Sequence, residues 1–259
     1  MTENAASTTE KPARGLLIYA LANSQDDWNI PDWRGVGGEP VSALTEGSVT
    51  AFVSPVRKPK IRPERRNLAA HMQILKQLME VRTILPFKFG TVAENEASLR
   101  SLIKRNQEDF VEELAAVAGK VEMSIRVVWD VSNVFEYFVG LRTELRSARD
   151  AVGDIRTAVR EDKIDLGRMF DVALNEERDR LYEQVAEVLE RYEIRHVRGP
   201  ARNERVVMDL ACLVKREELD QFDRVVSEAA SGFDANFTFK VSGSWPPVSF
   251  VELNLSLDA

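Results

Sequence analysis

The sequence predicts an α+β protein of two domains, each with helices packed on a small, mainly antiparallel sheet, the C-terminal one ferredoxin-like in its βαββαβ order. Three observations lead there. Lys120 to Trp129 alternates, with Val121, Met123, Ile125, Val127 and Trp129 on one face and Glu122, Ser124 and Arg126 on the other. From that point the segments read strand, helices, strand, strand, helix, strand, the order of a split βαβ sheet. Finally, 259 residues lie at the upper edge for one core and are comfortable for two. The expected divisions are a disordered tail at 1–13, an N-terminal α+β domain at 14–119 and a C-terminal domain at 120–259.

The tail is rich in Thr, Ser, Ala and Glu, has almost nothing to bury and lacks the apolar centre of a signal peptide. Gly15 to Ala22 is a short continuous apolar run, as expected of a central strand covered on both faces. Ser24 to Gly38 reads as a loop from its Asp, Asn, Pro and Gly content. Val41 to Leu44 reads as a brief strand, and Gly47 to Val53 as its partner after a Glu46-Gly47 turn. Lys58 to Pro63 is a basic connector bearing prolines. The helix after it, Arg65 to Val81, places Leu68, His71, Met72, Leu75, Leu78 and Met79 on one face, with Arg82 just beyond.

At residues 83–91, Thr-Ile-Leu-Pro-Phe-Lys-Phe-Gly-Thr, conflicting local demands meet. Ile84, Leu85, Phe87 and Phe89 favour burial, Pro86 cannot donate to a ladder, and Gly90 permits a turn closed to other residues. The spacing of Leu99, Leu102, Ile103, Phe110, Leu114 and Val117 predicts one bent helix or two, closed by Gly119. Val131 to Glu161 is variably helical. A long helix follows at about Leu166 to Tyr192, where Glu177 and Arg178 interrupt the apolar stripe, so half of it is expected to project beyond the core. Arg195–Val197 pairs with Glu204–Lys215, whose Val206, Met208, Leu210, Cys212 and Val214 point inward. Glu217–Ala230 is an amphipathic helix, and Phe237, Phe239 and Val241 form the last strand. Two consecutive prolines should then carry Ser244–Phe250 away from the sheet. Residues 244–259 are expected to return to the N-terminal domain, with Trp245 and Phe250 near Leu85–Gly90 and an extended alternation after Phe250.

Composition excludes several classes. With 35 basic and 42 acidic residues, the net charge of −7 leaves no basic surplus for nucleic acid. No run approaches the roughly 20 apolar residues of a membrane span. The single cysteine, Cys212, has no disulfide partner and reads as a buried hydrophobe in a reducing cytoplasm. His71 and His196 are expected in different domains, one Cys and two His are too few for a closed zinc site of the usual composition, and His71 reads as a structural core residue. Gly35-Val36-Gly37-Gly38 lacks the Lys-Ser/Thr of a phosphate loop. Asp26-Asp27, Glu112-Glu113 and Glu176-Glu177 read as solvated faces. No catalytic, cofactor-binding or metal-binding residue emerges, and no cofactor is implied. Aromatic residues in or beside loops remain: Trp28, Trp33, Trp245 and Phe250. Trp245-Pro246-Pro247 is stiff and has little entropy to lose on docking.

Leu85-Pro86-Phe87-Lys88-Phe89-Gly90-Thr91, preceded by His71 and followed far downstream by Ser244-Trp245-Pro246-Pro247-Val248-Ser249-Phe250, resembles the gas vesicle protein family of the L/F type (GvpF/GvpL). Six features of that family occur here in order between about Gly15 and Val251: an apolar strand, a Gly-Val turn, a second strand ending in Val-Ser, a His-bearing helix, the Leu-Pro…Phe-Gly-Thr segment and the Trp-Pro-Pro ending. Ser24–Arg34, with Trp28 and Trp33, and the N-terminal tail depart from it.

The resemblance implies two α+β domains with ferredoxin-like sheets and no enzymatic activity. It implies a minor structural or accessory protein of cytoplasmic gas vesicles, acting in nucleation or assembly of the shell. The implied partners are the small hydrophobic shell protein GvpA and other gas vesicle accessory proteins, with no nucleic acid and no membrane. The candidate interface or interdomain residues are Trp245, Pro246, Pro247, Phe250, Leu85, Phe87, Phe89, Trp28 and Trp33; His71 and Gly90 are expected to be structural. The competing class is a ligand-binding or enzymatic ferredoxin-like protein. A deep pocket holding His71, Glu80 or Arg82 would favour that class, and a shallow apolar surface would favour assembly.

Overall fold

The computed structural model describes residues 15–26, 28, 30–57, 60–153 and 159–251. The tail at 1–13, the alternation beyond Val251 and part of the Val131–Glu161 stretch lie outside the described residues. The described residues form two compact units, one built from those up to Lys120 together with 245–251, the other from those between Val121 and Ser244.

In the first unit, β1 (Gly15–Asn23), β2 (Ser42–Glu46), β3 (Val49–Val56) and β4 (Leu85–Pro86) form a sheet in the order β2-β3-β1-β4, with β5 (Val92–Ala93) also beside β1. The run of apolar residues makes β1 central, and Leu17 to Ala22 are buried throughout. β1 runs antiparallel to β3, from Gly15 opposite Val56 to Asn23 opposite Val49, and the register shifts between Ile18 and Ala20. Tyr19 therefore sits at a bulge, which re-aims its groups away from the regular ladder.

Three helices complete this unit: α1 (Arg65–Val81), α2 (Glu96–Arg105) and α3 (Gln107–Ala116). The α2/α3 stretch is two helices. Asn106 breaks it by donating its side-chain Nδ2 to the Leu102 carbonyl (2.8 Å). Leu99, Ile103, Phe110 and Leu114 from these helices share one core with Ile18, Leu21, Val53, Leu85, Phe87 and Val251. α1 buries His71, Ile74, Leu75, Leu78 and Met79. Its packed face is turned slightly from the expected one, leaving Leu68 exposed and taking in Ile74.

The second unit contains β6 (Lys120–Trp129), α4 (Val134–Leu141), α5 (Thr143–Val152), α6 (Arg160–Arg191), β7 (Arg195–Gly199), β8 (Val206–Lys215), α7 (Leu219–Ala230) and β9 (Phe237–Trp245). The sheet order is β7-β8-β6-β9. Both strand pairs joined through helices, β6/β7 and β8/β9, thus have another strand between them, as a split βαβ requires. β7 is antiparallel to β8, with Arg195 opposite Leu213 and Gly199 opposite Asp209. The alternation of β6 appears directly in its burial: Val121, Met123, Ile125, Val127 and Trp129 all face inward.

Two expectations are corrected here. β9 continues past Val241 to Trp245, because the prolines that forbid ladder donation begin only at Pro246. The Glu177–Arg178 interruption of α6 does not mark a projecting half-helix, for Arg178 is itself buried, with 9% of its surface exposed. Its guanidinium donates from Nε to the Val206 carbonyl (2.9 Å), from Nη2 to the Asn203 carbonyl (2.8 Å) and from Nη1 to Asn175 Oδ1 (3.1 Å). It also lies 5.6 Å from the centre of the Trp129 ring. A planar fork of donors can serve several carbonyls at once, so a charged residue occupies an apolar stripe without an unpaired polar group.

Arg178→Ala strands the Val206 and Asn203 carbonyls, and should lower unfolding stability by about 2–4 kcal/mol in urea titration. Arg178→Lys should recover only part of the loss, since one ammonium cannot reproduce the fork.

Candidate protein-interaction surface

The segment leading out of α1 is held by a hydrogen-bonded column through the middle of the first unit. Pro86, opposite Ala20, has no N–H to give, and the next residue makes the bond: Phe87 N–H donates to the Tyr19 carbonyl (2.8 Å). The Phe87 carbonyl accepts from His71 Nε2 (3.1 Å). The Tyr19 hydroxyl accepts from Val36 N–H (2.9 Å) and donates to Ser54 Oγ (3.1 Å), which in turn donates to the Pro40 carbonyl (2.9 Å). Gly35 must be glycine for this approach, because a Cβ there would collide with the Tyr19 hydroxyl. Gly90 ends the segment at φ +90°, a conformation that L side chains rarely adopt.

His71 is 3% exposed, stacked at 5.2 Å on Tyr19 and edge-on to Phe89 at 5.5 Å. Burial lowers its pKa below the ordinary value of 6.5, opposed by the Phe87 carbonyl. Burial likewise raises that of Tyr19. His71 is thus held neutral, with its proton on Nε2 and Nδ1 without a partner among the described residues.

The remaining sequence candidates fall in different places. Leu85 and Phe87 are core residues beside Val251. Pro246, Pro247 and Phe250 are buried within the first unit, and Trp245 is half-buried with Lys76 Nζ of α1 3.9 Å above its ring. Trp28 is half-buried, packed edge-on against Phe52 at 4.6 Å, with its Nε1 donating to the Asn23 carbonyl (3.3 Å). Trp33 is half-buried, its carbonyl accepting from Val41 N–H (3.1 Å). In the second unit, His196 bonds the Tyr182 hydroxyl (3.2 Å) and the Ile194 carbonyl (3.2 Å). Burial pushes the Cys212 thiol up to about 12, so it is inert as a nucleophile at neutral pH. Among the described residues, no three His, Cys, Asp or Glu side chains converge where they could hold a metal ion.

Sequence reasoning missed an open groove of about 430 Å³ on the second unit, where α5 meets the first half of α6. Leu145 and Ala173 line its buried part, and Met169 (39% exposed) and Val172 (59% exposed) present apolar surface to solvent. Arg142, Glu144, Arg168 and Glu176 rim it, and Arg142 pairs with Glu176 at 3.5 Å. A signal for it was present: Met169 and Val172 lie beside the stripe of Leu166, Phe170, Ala173 and Leu174, making the apolar face wider than one core needs. Such a groove can hold a hydrophobic segment non-covalently.

Fold and surface together define a two-unit α+β protein that carries an open apolar groove with a charged rim. Residues 15–252 match the family model described as "Gas vesicle synthesis protein GvpL/GvpF", and the chain belongs to that family. Membership makes it a gas vesicle accessory protein. It is 26% identical to gas vesicle protein F of Streptomyces sp. (strain CB03234), over 91% of this chain and 98% of the relative. It is 23% identical to gas vesicle protein F of Dolichospermum flosaquae, over 85% and 91%. The crystal structure of GvpF from Microcystis aeruginosa superposes with a TM-score of 0.71 at 22% identity, covering 93% of this chain and all (100%) of the other. That from Anabaena sp. PCC7120 gives 0.71 at 21%, covering 93% and 99%. These structures share the fold, a mixed architecture of helices and antiparallel sheets. Among the described residues, no helix is long and apolar enough to cross a membrane.

Because the folded pKa of His71 lies below the unfolded one, the unfolded chain takes up the proton first as pH falls. Stability is therefore complete above the unfolded value of about 6.5 and declines as pH drops through it towards the folded value. Urea midpoints measured between pH 8 and pH 5, on an order-of-magnitude slope set by one proton, should show this decline in the native protein and a flatter profile in His71→Gln. Phe250→Ala, which empties a buried ring site in the first unit, should cost about 3–5 kcal/mol in the same measurement.

Proposed function

We propose that this accessory protein acts in nucleation or assembly of the gas vesicle shell by holding the small hydrophobic shell protein GvpA, and that it works without catalysis. The observation that carries this reading is the open apolar groove of Leu145, Met169, Val172 and Ala173, in a chain whose family is named for gas vesicle synthesis. An aggregation-prone amphipathic subunit needs a preformed apolar surface with a polar rim, and an amphipathic helix seated between α5 and α6 would find both. Adaptable Met169 suits a surface that must accept and release a partner. Other gas vesicle accessory proteins are the further expected partners, in the cytoplasm and at the vesicle.

His71 and Gly90 serve structure in this reading, with Leu85, Phe87, Pro246, Pro247 and Phe250 as packing of the first unit. Trp28, Trp33, Phe89 and Trp245, all half-buried, are secondary contact points. A ligand-binding or enzymatic role finds less support, because His71 is withdrawn from solvent and its one donor is engaged.

The test is recovery of GvpA on the tagged full-length chain after co-expression. Met169→Asp with Val172→Asp should reduce it by about 10-fold or more, since charges would have to be desolvated in the groove, while the melting temperature stays near that of the native protein because both side chains face solvent. Unchanged recovery with an intact fold would remove the groove from the reading.

A further inference from the structure

The basic connector singled out in the sequence takes no part in the groove just described, and it forms part of a second concavity on the first unit. Residues 57–66 contain six cations and one carboxylate, which leaves 29 basic against 41 acidic residues in the rest of the chain. Described residues of that stretch border a pocket of about 460 Å³ between the start of α1, the end of β3 and the turn at Val36–Gly37. Arg57, Lys60 and Arg62 line it, are exposed, and have no ion-pair partner among the described residues. Arg66 is occupied by Glu64 at 2.8 Å. The floor is apolar: Val36 and Val56 are buried, and Pro55 and Ile61 are half-buried.

Three unneutralised cations around an apolar floor, on a molecule that is otherwise strongly acidic, form a local field that attracts carboxylates and an apolar seat for a neighbouring side chain. We infer that this pocket is a docking site for an acidic peptide segment of a partner protein, one carrying clustered Asp or Glu beside an aliphatic anchor. The guanidinium forks of Arg57 and Arg62 would take carboxylates bidentately, and Lys60 would add a point charge. Nucleic acid fits less well. A phosphodiester backbone needs an extended basic track, whereas Arg57, Lys60 and Arg62 are confined to the lining of one pocket.

The experiment is fluorescence anisotropy on the full chain with a fluorescein-labelled Glu-Glu-Leu repeat peptide. A Gln-Gln-Leu counterpart and a duplex oligonucleotide of equal charge serve as competing probes. The acidic peptide should bind, weaken as salt rises, and exceed both others. Arg57→Glu with Arg62→Glu should reduce its affinity by about 10-fold or more, whereas Lys104→Glu with Arg224→Glu, which changes the net charge equally, should have little effect. If the charge reversals unfold the protein, Arg57→Gln with Arg62→Gln takes their place and should show the same direction. Equal losses in the two charge-reversal pairs would overturn the site as general electrostatics. Tighter binding of the oligonucleotide, or no binding of the acidic peptide, would overturn the assigned partner.

Discussion

The first unit depends on one buried contact sequence, in which Ser54, Tyr19, Phe87 and His71 are linked by hydrogen bonds of 2.8 to 3.1 Å. Its origin is a conflict in the chain. Pro86 occupies a strand position opposite Ala20 where it has no N–H to give, and the Tyr19 carbonyl is taken instead by the Phe87 N–H. Once the segment is pinned there, the Phe87 carbonyl would be a buried acceptor without a donor. His71, projecting from α1, supplies it. The Tyr19 hydroxyl meanwhile reaches across the sheet to fasten the Val36 turn. Helix, sheet, turn and the Leu85–Gly90 segment are therefore ordered together.

The second unit solves a comparable problem with Arg178. The turn between β7 and β8 leaves the Asn203 and Val206 carbonyls facing α6, and an aliphatic side chain would fill the space while leaving both unpaired. The guanidinium satisfies them and lies over Trp129, which belongs to an aromatic cluster with Phe138 and Phe170. Burial and the nearby Arg198 both lower the pKa of Arg178 below its usual value, opposed by Asp171, the expected cost of placing a cation there. Both units thus fasten backbone groups through buried polar side chains, Tyr19 and His71 in the first and Arg178 in the second.

These anchors explain why the two open surfaces lie elsewhere. A site used for reversible capture needs side chains that lose little when a partner arrives, and the side chains of the buried column are committed already. Met169 and Val172 on α6, and Arg57 and Arg62 in the connector between β3 and α1, are exposed side chains.

The sequence by itself determined the elements whose periodicity spans many residues: the alternation of β6, the continuous apolar run of β1, the helix from Arg65 to Val81, and the linear succession of strands and helices in the second half of the chain. Periodicity is a local property, and local backbone geometry turns it into burial without further information. The family was legible too, because the Leu-Pro…Phe-Gly-Thr and Trp-Pro-Pro segments are specific in order as well as composition. Only the tertiary structure decided that Arg178 is a core residue and which carbonyl His71 serves. Each depends on an acceptor or a neighbour distant in sequence. The two concavities were undecided for the same reason: a groove is made by the spacing between elements, and side-chain pattern along any one of them leaves that spacing open.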